Sequence, residues 1–147
     1  MHRKFIHKSP QLHPLAKYVT EDATALMFNI TVDKIERIEC CVHMVYVHAA
    51  GVSRFVSYAD YPPSLGAIAP DYFDVLRWHR RWRKKWHSKY APNMWQKYYI
   101  YQLHESFSLN ELFGWWKVVR LLKFVLSEDA WLKLSQAYQC EKSAWEN

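Results

Sequence analysis

The chain has little cysteine and little glycine. Of its 147 residues, three are Cys and three are Gly. An odd number of cysteines, two of them adjacent at Cys40 and Cys41, argues against a disulfide framework and favours a reducing compartment. Three glycines leave almost nothing from which to build a phosphate-binding loop, and the motifs GxGxxG, GxxxxGKS/T, GxSxG and HExxH are all absent. The sequence therefore indicates neither a nucleotide-cradling site nor a familiar hydrolase site.

Long apolar runs are also lacking. No stretch reaches the roughly 18 uncharged apolar residues that a membrane span requires. The N-terminal sequence MHRKFIHKSPQLHP is basic and lacks the apolar core of a signal peptide. We therefore expect no membrane span and a cytoplasmic location.

Acidic residues are absent from residues 75–104, and this gap is the most informative one in the sequence. The window contains eight basic residues, whereas the rest of the chain holds twelve Lys and Arg against fourteen Asp and Glu, a net charge of about −2. The overall net charge of +6 is therefore a local feature. The eight basic residues are Arg77, Arg80, Arg81, Arg83, Lys84, Lys85, Lys89 and Lys97.

Proline is missing after Pro92, which divides the chain into two kinds of sequence. The length fits a single domain over residues 1–147. Residues 1–60 are expected to be mostly β structure, residues 70–147 to be helical, and the Pro-rich stretch 60–70 to join them. The expected fold class is α+β, with a small antiparallel sheet of about three strands packed against about four helices.

The first half predicts a meander of three strands. The segments 27–33, 38–48 and 52–59 are rich in Val, Ile and aromatic residues, which suits strands. The sequence AAGV at 49–52 predicts the hairpin loop between the last two. A short helix over 12–18 and a turn capped by Thr20 are expected to precede the sheet.

The second half predicts four helices, over 71–90, 92–105, 108–126 and 128–143. Pro70 suits a first helical position, Ser108 and Glu111 have the spacing of a capping box, and Ser127 is a good N-cap. Residues 97–103, KYYIYQL, also fit a strand, so that segment keeps two interpretations.

The stretch WHRRWRKKWHSKY, residues 78–90, predicts a helix with two different faces. At 100° per residue, Val75, Trp78, Trp82 and Trp86 fall within an arc of about 80°. The Arg and Lys residues occupy the opposite side, spread over about 200°. The rings are expected to anchor the helix on the body of the protein and the charges to face outward, although the pattern also allows the Trp stripe to be an exposed contact surface.

The basic face has no acidic partner in sequence. Like charges at i,i+3 and i,i+4 repel by a few tenths of a kcal/mol per pair, roughly 0.2–0.5. A polyanion would relieve that repulsion, and the Arg guanidinium is well shaped to contact phosphate. The sequence therefore predicts non-catalytic binding of DNA or RNA through the phosphate backbone, with weak sequence specificity. The predicted binding residues are Arg77, Arg80, Arg81, Arg83, Lys84, Lys85 and Lys89.

A second stretch, FGWWKVVRLLKFVL at 113–126, interleaves rings and cations. Lys117, Arg120 and Lys123 form a stripe with Trp116 nearby, an arrangement that can hold phosphates and stack bases. The alternative is a central helix of the bundle whose lysines extend to the surface.

No metal, cofactor or catalytic group is predicted. Cys41 and His43 share one face of a strand, and Cys40 and His48 the other, but no CxxC or HxxxH pair completes a site. The pair His104-Glu105 is better explained as a helix end.

Two other functions stay open. Aromatic and Arg-rich surfaces are typical of protein interfaces. The chain is therefore also expected to suit a small interaction module or inhibitor of a host nucleoprotein complex, for example a phage or mobile-element protein such as an anti-CRISPR. An enzyme with an unrecognised site is the third alternative.

Overall fold

The computed structural model describes residues 13–147, which form a three-stranded antiparallel sheet in the order β1-β2-β3 and five α-helices. The strands are β1 (Ile35–Cys40), β2 (Val45–Ala49) and β3 (Val52–Val56), and the helices are α1 (Glu21–Phe28), α2 (Tyr72–Trp86), α3 (Asn93–His104), α4 (Leu109–Leu121) and α5 (Glu128–Glu146). The predicted α+β class is confirmed, with the sheet in the first half and four helices in the second. Within residues 13–147 no helix is both long and apolar enough to cross a membrane.

The predicted strand over 27–33 is wrong, because this segment contains the last two residues of a helix and the start of a 3-10 helix, Val32–Lys34. Thr20 Oγ1 accepts a hydrogen bond from the Ala23 N–H at 3.2 Å and starts α1 at Glu21. The helix runs through good helix formers and ends where Asn29 takes a left-handed φ of 55°. Before α1 lies a 3-10 helix, Pro14–Tyr18, in place of the helix predicted over 12–18, and Leu12 falls outside the described residues.

The segment predicted as one strand over 38–48 contains parts of two. Strand β1 ends at Cys40, the Cys41 N–H donates to the Met44 carbonyl at 2.9 Å, and β2 begins at Val45. The hairpin predicted at 49–52 is confirmed, with Gly51 at a φ of 82° between the paired Ala49 and Val52. The three-stranded meander is therefore present, with its first strand later in the chain than predicted.

Strand β3 ends three residues before its predicted end at 59. Ser57 Oγ accepts from the Ala59 N–H at 3.1 Å and starts a 3-10 helix, Tyr58–Asp60. This local cap ends the strand because Ser favours a turn over the sheet ladder.

The helical half keeps the predicted order, but α2, α4 and α5 end at residues other than the predicted ones. Residues 97–103 are helical, so the strand interpretation is wrong. Helix α4 ends at Leu121 instead of near 126 and is followed by a 3-10 helix, Lys123–Val125. Ser108 and Ser127 cap α4 and α5 as predicted, accepting from the Glu111 and Ala130 N–H groups. The predicted capping box is only half present, because Glu111 Oε2 accepts from the Phe107 N–H and not from that of Ser108.

Three tryptophans with no exposed surface join the helices to the end of the sheet. Trp78 and Trp82 stack with ring centroids 5.8 Å apart, and Trp95 of α3 meets both edge-on at 5.2 Å. Trp82 Nε1 donates to the Ala59 carbonyl at 3.1 Å, and Trp95 Nε1 donates to the Asp60 carbonyl at 2.9 Å. The cluster therefore fixes α2 and α3 against the 3-10 helix that follows β3.

Replacing Trp82 with Ala should lower the free energy of unfolding by about 3–5 kcal/mol, because the ring is fully buried and its N–H is hydrogen-bonded. The matched control is Trp86→Ala on the same helix, where half of the side chain is exposed and the cost should be about 1 kcal/mol or less. Urea denaturation of both variants measures the difference. Equal costs would contradict the assignment of Trp82 to the core.

Candidate nucleic-acid interface

Helix α2 begins with a reciprocal cap made by two aspartates. Asp71 Oδ1 accepts a hydrogen bond from the Asp74 backbone N–H at 2.8 Å, and Asp74 Oδ2 accepts one from the Asp71 N–H at 3.2 Å. Pro70 therefore precedes the cap and is not the first helical residue that the sequence predicts. Both carboxylates also favour the positive end of the helix dipole.

The Asp74 side chain is almost completely buried, and it connects α2 to the N-terminal segment. Its Oδ2 accepts from the Tyr18 hydroxyl at 3.1 Å and pairs with Lys17 Nζ at 2.8 Å. Arg77 Nη1 lies 3.8 Å from Asp74 Oδ1. Arg77 is thus partly neutralised, which sets it apart from the other predicted binding residues.

Four side chains, Leu76, Arg80, Arg83 and Lys84, form the surface that we call the outward face of α2. All four are exposed, and together with His79 they line a shallow depression of about 540 Å³. Arg83 and Lys84 belong to the last turn, where cations complement the helix dipole, but Arg80 precedes that turn. The helix dipole therefore explains the positions of Arg83 and Lys84 but not that of Arg80.

His79 at the edge of the outward face adds no charge near neutral pH. Burial, and to a smaller extent the nearby Arg83, lower its pKa from the ordinary value. Its Nε2 is buried and has no hydrogen-bond partner within the described chain.

The other two predicted helix cations, Arg81 and Lys85, line a separate groove of about 960 Å³. The groove lies between β3, the end of α2 and the start of α3, with Asp60 among its lining residues. Burial raises the pKa of Asp60, and the positive charges of Arg81 and Lys85 act against that rise. The basic stretch therefore serves two surfaces, the outward face and this groove.

The end of α2 differs from the prediction over 71–90. The helix stops at Trp86 because His87 takes a left-handed φ of 52° and its N–H returns to the Arg83 carbonyl at 3.1 Å. Lys89 is therefore on a loop, where its Nζ lies 5.3 Å from the centroid of the Tyr90 ring. The Trp stripe is buried at Trp78 and Trp82 as predicted, but not at Trp86, which is 50% exposed at the groove.

The stripe predicted in 113–126 does not lie on one helix. Lys117 and Arg120 are on α4 and exposed, whereas Lys123 is in the following 3-10 helix, 4.9 Å from the centroid of the Trp131 ring. Trp116 stacks on Trp131 at 5.3 Å and on Tyr138 at 4.4 Å between ring centroids. These ring contacts hold α4 on α5 by one side, whereas Phe113 and Leu121 of the same helix are exposed.

The Cys and His residues considered for a metal lie apart. Cys40 is in the core, Cys41 and His43 are exposed in the β1–β2 turn, and His48 Nε2 lies 3.2 Å from Glu39 Oε2. Within residues 13–147 no three His, Cys, Asp or Glu side chains form a group that could hold a metal ion.

His104 makes a contact that the sequence does not predict. Its Nδ1 lies 2.8 Å from Glu141 Oε1 of α5, and this hydrogen bond raises its pKa. The pair His104-Glu105 does mark a helix end, because α3 ends at His104, and the His104 side chain joins α3 to α5.

Several groove residues could not be found from the sequence. Arg54 and Phe55 come from β3, and Lys97 from α3, so their approach to Lys85 depends on how the elements pack.

Comparisons of the chain with protein-family models, curated proteins and solved structures give no significant match. The geometry of the two surfaces is therefore the basis for assigning a function.

Asp74→Ala should lower the free energy of unfolding by about 3 kcal/mol, because it removes the buried partner of Lys17 together with half of the cap. Asp71→Ala, which removes only a cap, should cost about 1 kcal/mol. Urea denaturation of the two variants tests this ranking. If Asp71→Ala cost as much as Asp74→Ala, the ion pair with Lys17 would not be what holds the start of α2.

Proposed function

We propose that this protein is a non-catalytic nucleic-acid-binding protein whose outward face on α2 contacts the phosphate backbone. The observation that carries the proposal is that most cations of the basic stretch have no carboxylate close enough to neutralise them. Within residues 13–147, none of the following six cations lies within 4.0 Å of a carboxylate oxygen: Arg80, Arg81, Arg83, Lys84, Lys85 and Lys89.

A polyanion suits this surface better than solvent does. Arg80, Arg83 and Lys84 are neighbours at i,i+3 and i,i+4, so each pair costs roughly 0.2–0.5 kcal/mol when nothing neutralises it. Phosphate oxygens remove that repulsion, and Arg binds them in a bidentate manner. Binding also releases the counterions condensed on the nucleic acid, which adds a favourable entropy.

Sequence specificity is expected to be weak. Contacts from Arg and Lys to phosphate position a protein but do not read base edges. The outward face presents only Leu76 beside its three cations, so it lacks the Asn and Gln side chains that typically read adenine. The reducing, cytoplasmic setting expected from the three cysteines belongs to the same proposal.

A protein partner is the second candidate function, and a separate observation favours it. At the start of α2 and just before it, Ile68 is 74% exposed, Tyr72 70% and Phe73 61%. Exposed aromatic side chains next to Arg residues are typical of interaction hot spots. In this version the chain is a small interaction module or an inhibitor, for example of phage or mobile-element origin such as an anti-CRISPR, that binds a host nucleoprotein complex.

The salt dependence of binding separates the two functions. If the outward face neutralises about three phosphates of a duplex, log K should fall by about 2.7 for each tenfold rise in salt, since each phosphate contributes roughly 0.9. The measurement is fluorescence anisotropy of a labelled mixed-sequence duplex between 25 and 250 mM NaCl, about one decade of salt. If neither the duplex nor the single strand of the same sequence binds at the lowest salt, the nucleic-acid function is excluded and the protein partner is left.

Reversing the charges of the outward face should abolish duplex binding without unfolding the protein. In the variant Arg80→Glu, Arg83→Glu, Lys84→Glu, affinity should fall at least about 100-fold, since three phosphate contacts are replaced by repulsion. Stability should change by less than about 1 kcal/mol because the three side chains are exposed.

The matched control reverses three other exposed cations, Lys117→Glu, Arg120→Glu and Lys123→Glu. It changes the net charge equally, so a general electrostatic effect would weaken binding in both variants. The outward face is the binding surface if the control keeps most of the affinity. Equal losses in the two variants would contradict that assignment.

A further inference from the structure

The groove beside α2 has the size and composition of a ligand pocket. Its volume is about 960 Å³, near the upper end of the roughly 300–1,000 Å³ that small-molecule pockets occupy. Within residues 13–147 four cations line it, Arg54, Arg81, Lys85 and Lys97, and the only acid among its lining residues is Asp60. The groove is therefore positive overall and suits an anionic ligand.

Two complementary polar atoms in the groove are buried and unpaired. Asp60 Oδ1 and Arg81 Nε each have less than 1 Å² of exposed surface, and neither has a hydrogen-bond partner within the described chain. Buried polar groups are paired in the great majority of cases, so unpaired ones at a pocket are candidates for ligand contacts. Asp60 Oδ1 accepts hydrogen bonds and Arg81 Nε donates them, so a ligand that offers both a donor and an acceptor would satisfy the two once these side chains turn toward the groove.

Aromatic rings are exposed in the same groove. Phe55 is 56% exposed, Trp86 50% and Tyr90 37%. Phe55 packs on Tyr46 with ring centroids 4.6 Å apart, and Lys85 Nζ lies 5.8 Å from the Trp86 ring centroid. Rings held next to cations are how proteins stack bases while they contact the backbone of a single strand.

We infer that this groove binds one unpaired base of a single-stranded nucleic acid, with the edge of the base at Asp60 and Arg81 and its face against Trp86. A base edge carries donors and acceptors side by side on one plane, which matches the unpaired acceptor Asp60 Oδ1 and the unpaired donor Arg81 Nε. In a duplex that edge is already paired and both faces are stacked, so only an unpaired nucleotide can enter. This inference rests on the proposed function and adds to it a preference for single strands.

The first test compares a labelled 12-nucleotide single strand with the duplex of the same sequence, for the wild-type protein and two Trp variants. Trp86→Ala should weaken single-strand binding about 10-fold, the loss of one stacked base, and leave duplex binding within about 2-fold, since the outward face is intact. Trp145→Ala is the matched control, because Trp145 is 45% exposed near the end of α5 and remote in sequence from the groove. Its affinity for both ligands should stay unchanged.

Asp60→Ala gives a second, independent test in which charge and base contact predict opposite results. Removing the only acid that lines the groove makes the groove more positive, so phosphate attraction alone would strengthen single-strand binding. Loss of the base contact would weaken it, and we expect a fall of at least about 10-fold, the loss of one hydrogen bond to a charged group. The Asp60 backbone carbonyl, which accepts from Trp95, stays in place in this variant.

The outcomes separate the inference from the proposed function. If both ligands bind but Trp86→Ala lowers neither affinity, or lowers both equally, the base-binding groove is excluded and the backbone-binding face remains. Unchanged or tighter single-strand binding by Asp60→Ala also overturns the inference. Competition by a mononucleotide as effective as the oligonucleotide would mean that a free nucleotide occupies the groove. Failure of both ligands to bind at low salt would exclude the proposed function itself.

Discussion

The contact among Trp78, Trp82 and Trp95 is the constraint on which the rest of this structure depends. Two helices meet there through three buried rings, and two indole N–H groups donate to consecutive carbonyls, those of Ala59 and Asp60. Trp78 Nε1 has no hydrogen-bond partner within the described residues, so these two hydrogen bonds, together with hydrophobic burial, fix the positions of α2 and α3 relative to the end of the sheet. Because Trp78 and Trp82 face the core, the opposite side of α2, with Arg80, Arg83 and Lys84, faces outward.

The same cluster creates the groove at the end of α2. Trp78 and Trp82 fill the space between α2 and α3, whereas the helix stops at Trp86, immediately after the cluster. The last ring of the stripe therefore leaves the core and reaches the groove that β3 and α3 complete. The Trp residues at every fourth position thus have two structural roles. Trp78 and Trp82 lie within the helix and in the core, whereas Trp86 is the last helical residue and lines the groove.

How much the sequence could predict depends on the range of the interactions involved. Local signals were sufficient for the hairpin at Gly51, the caps at Thr20, Ser108 and Ser127, and the burial of Trp78 and Trp82. The end of α2 was missed because His87 takes a left-handed conformation without the Gly or Asn that usually marks it. The groove was missed because it combines residues from β3, α2 and α3, which no sequence spacing brings together.

The energies explain how the fold can keep an unneutralised surface before any partner binds. The repulsion among neighbouring cations on α2 is roughly 0.2–0.5 kcal/mol per pair, whereas fully burying one large apolar side chain contributes about 1.5–3 kcal/mol. Two buried rings on this helix therefore exceed the repulsion on its opposite side. The acids of this region leave most of the surface charge in place: Asp71 and Asp74 cap the helix, where Asp74 partly neutralises only Arg77 among the α2 cations, and Asp60 lies in the groove. A stable core on one side of α2 thus allows an unpaired positive charge on the other, which is the condition that a phosphate-binding surface requires.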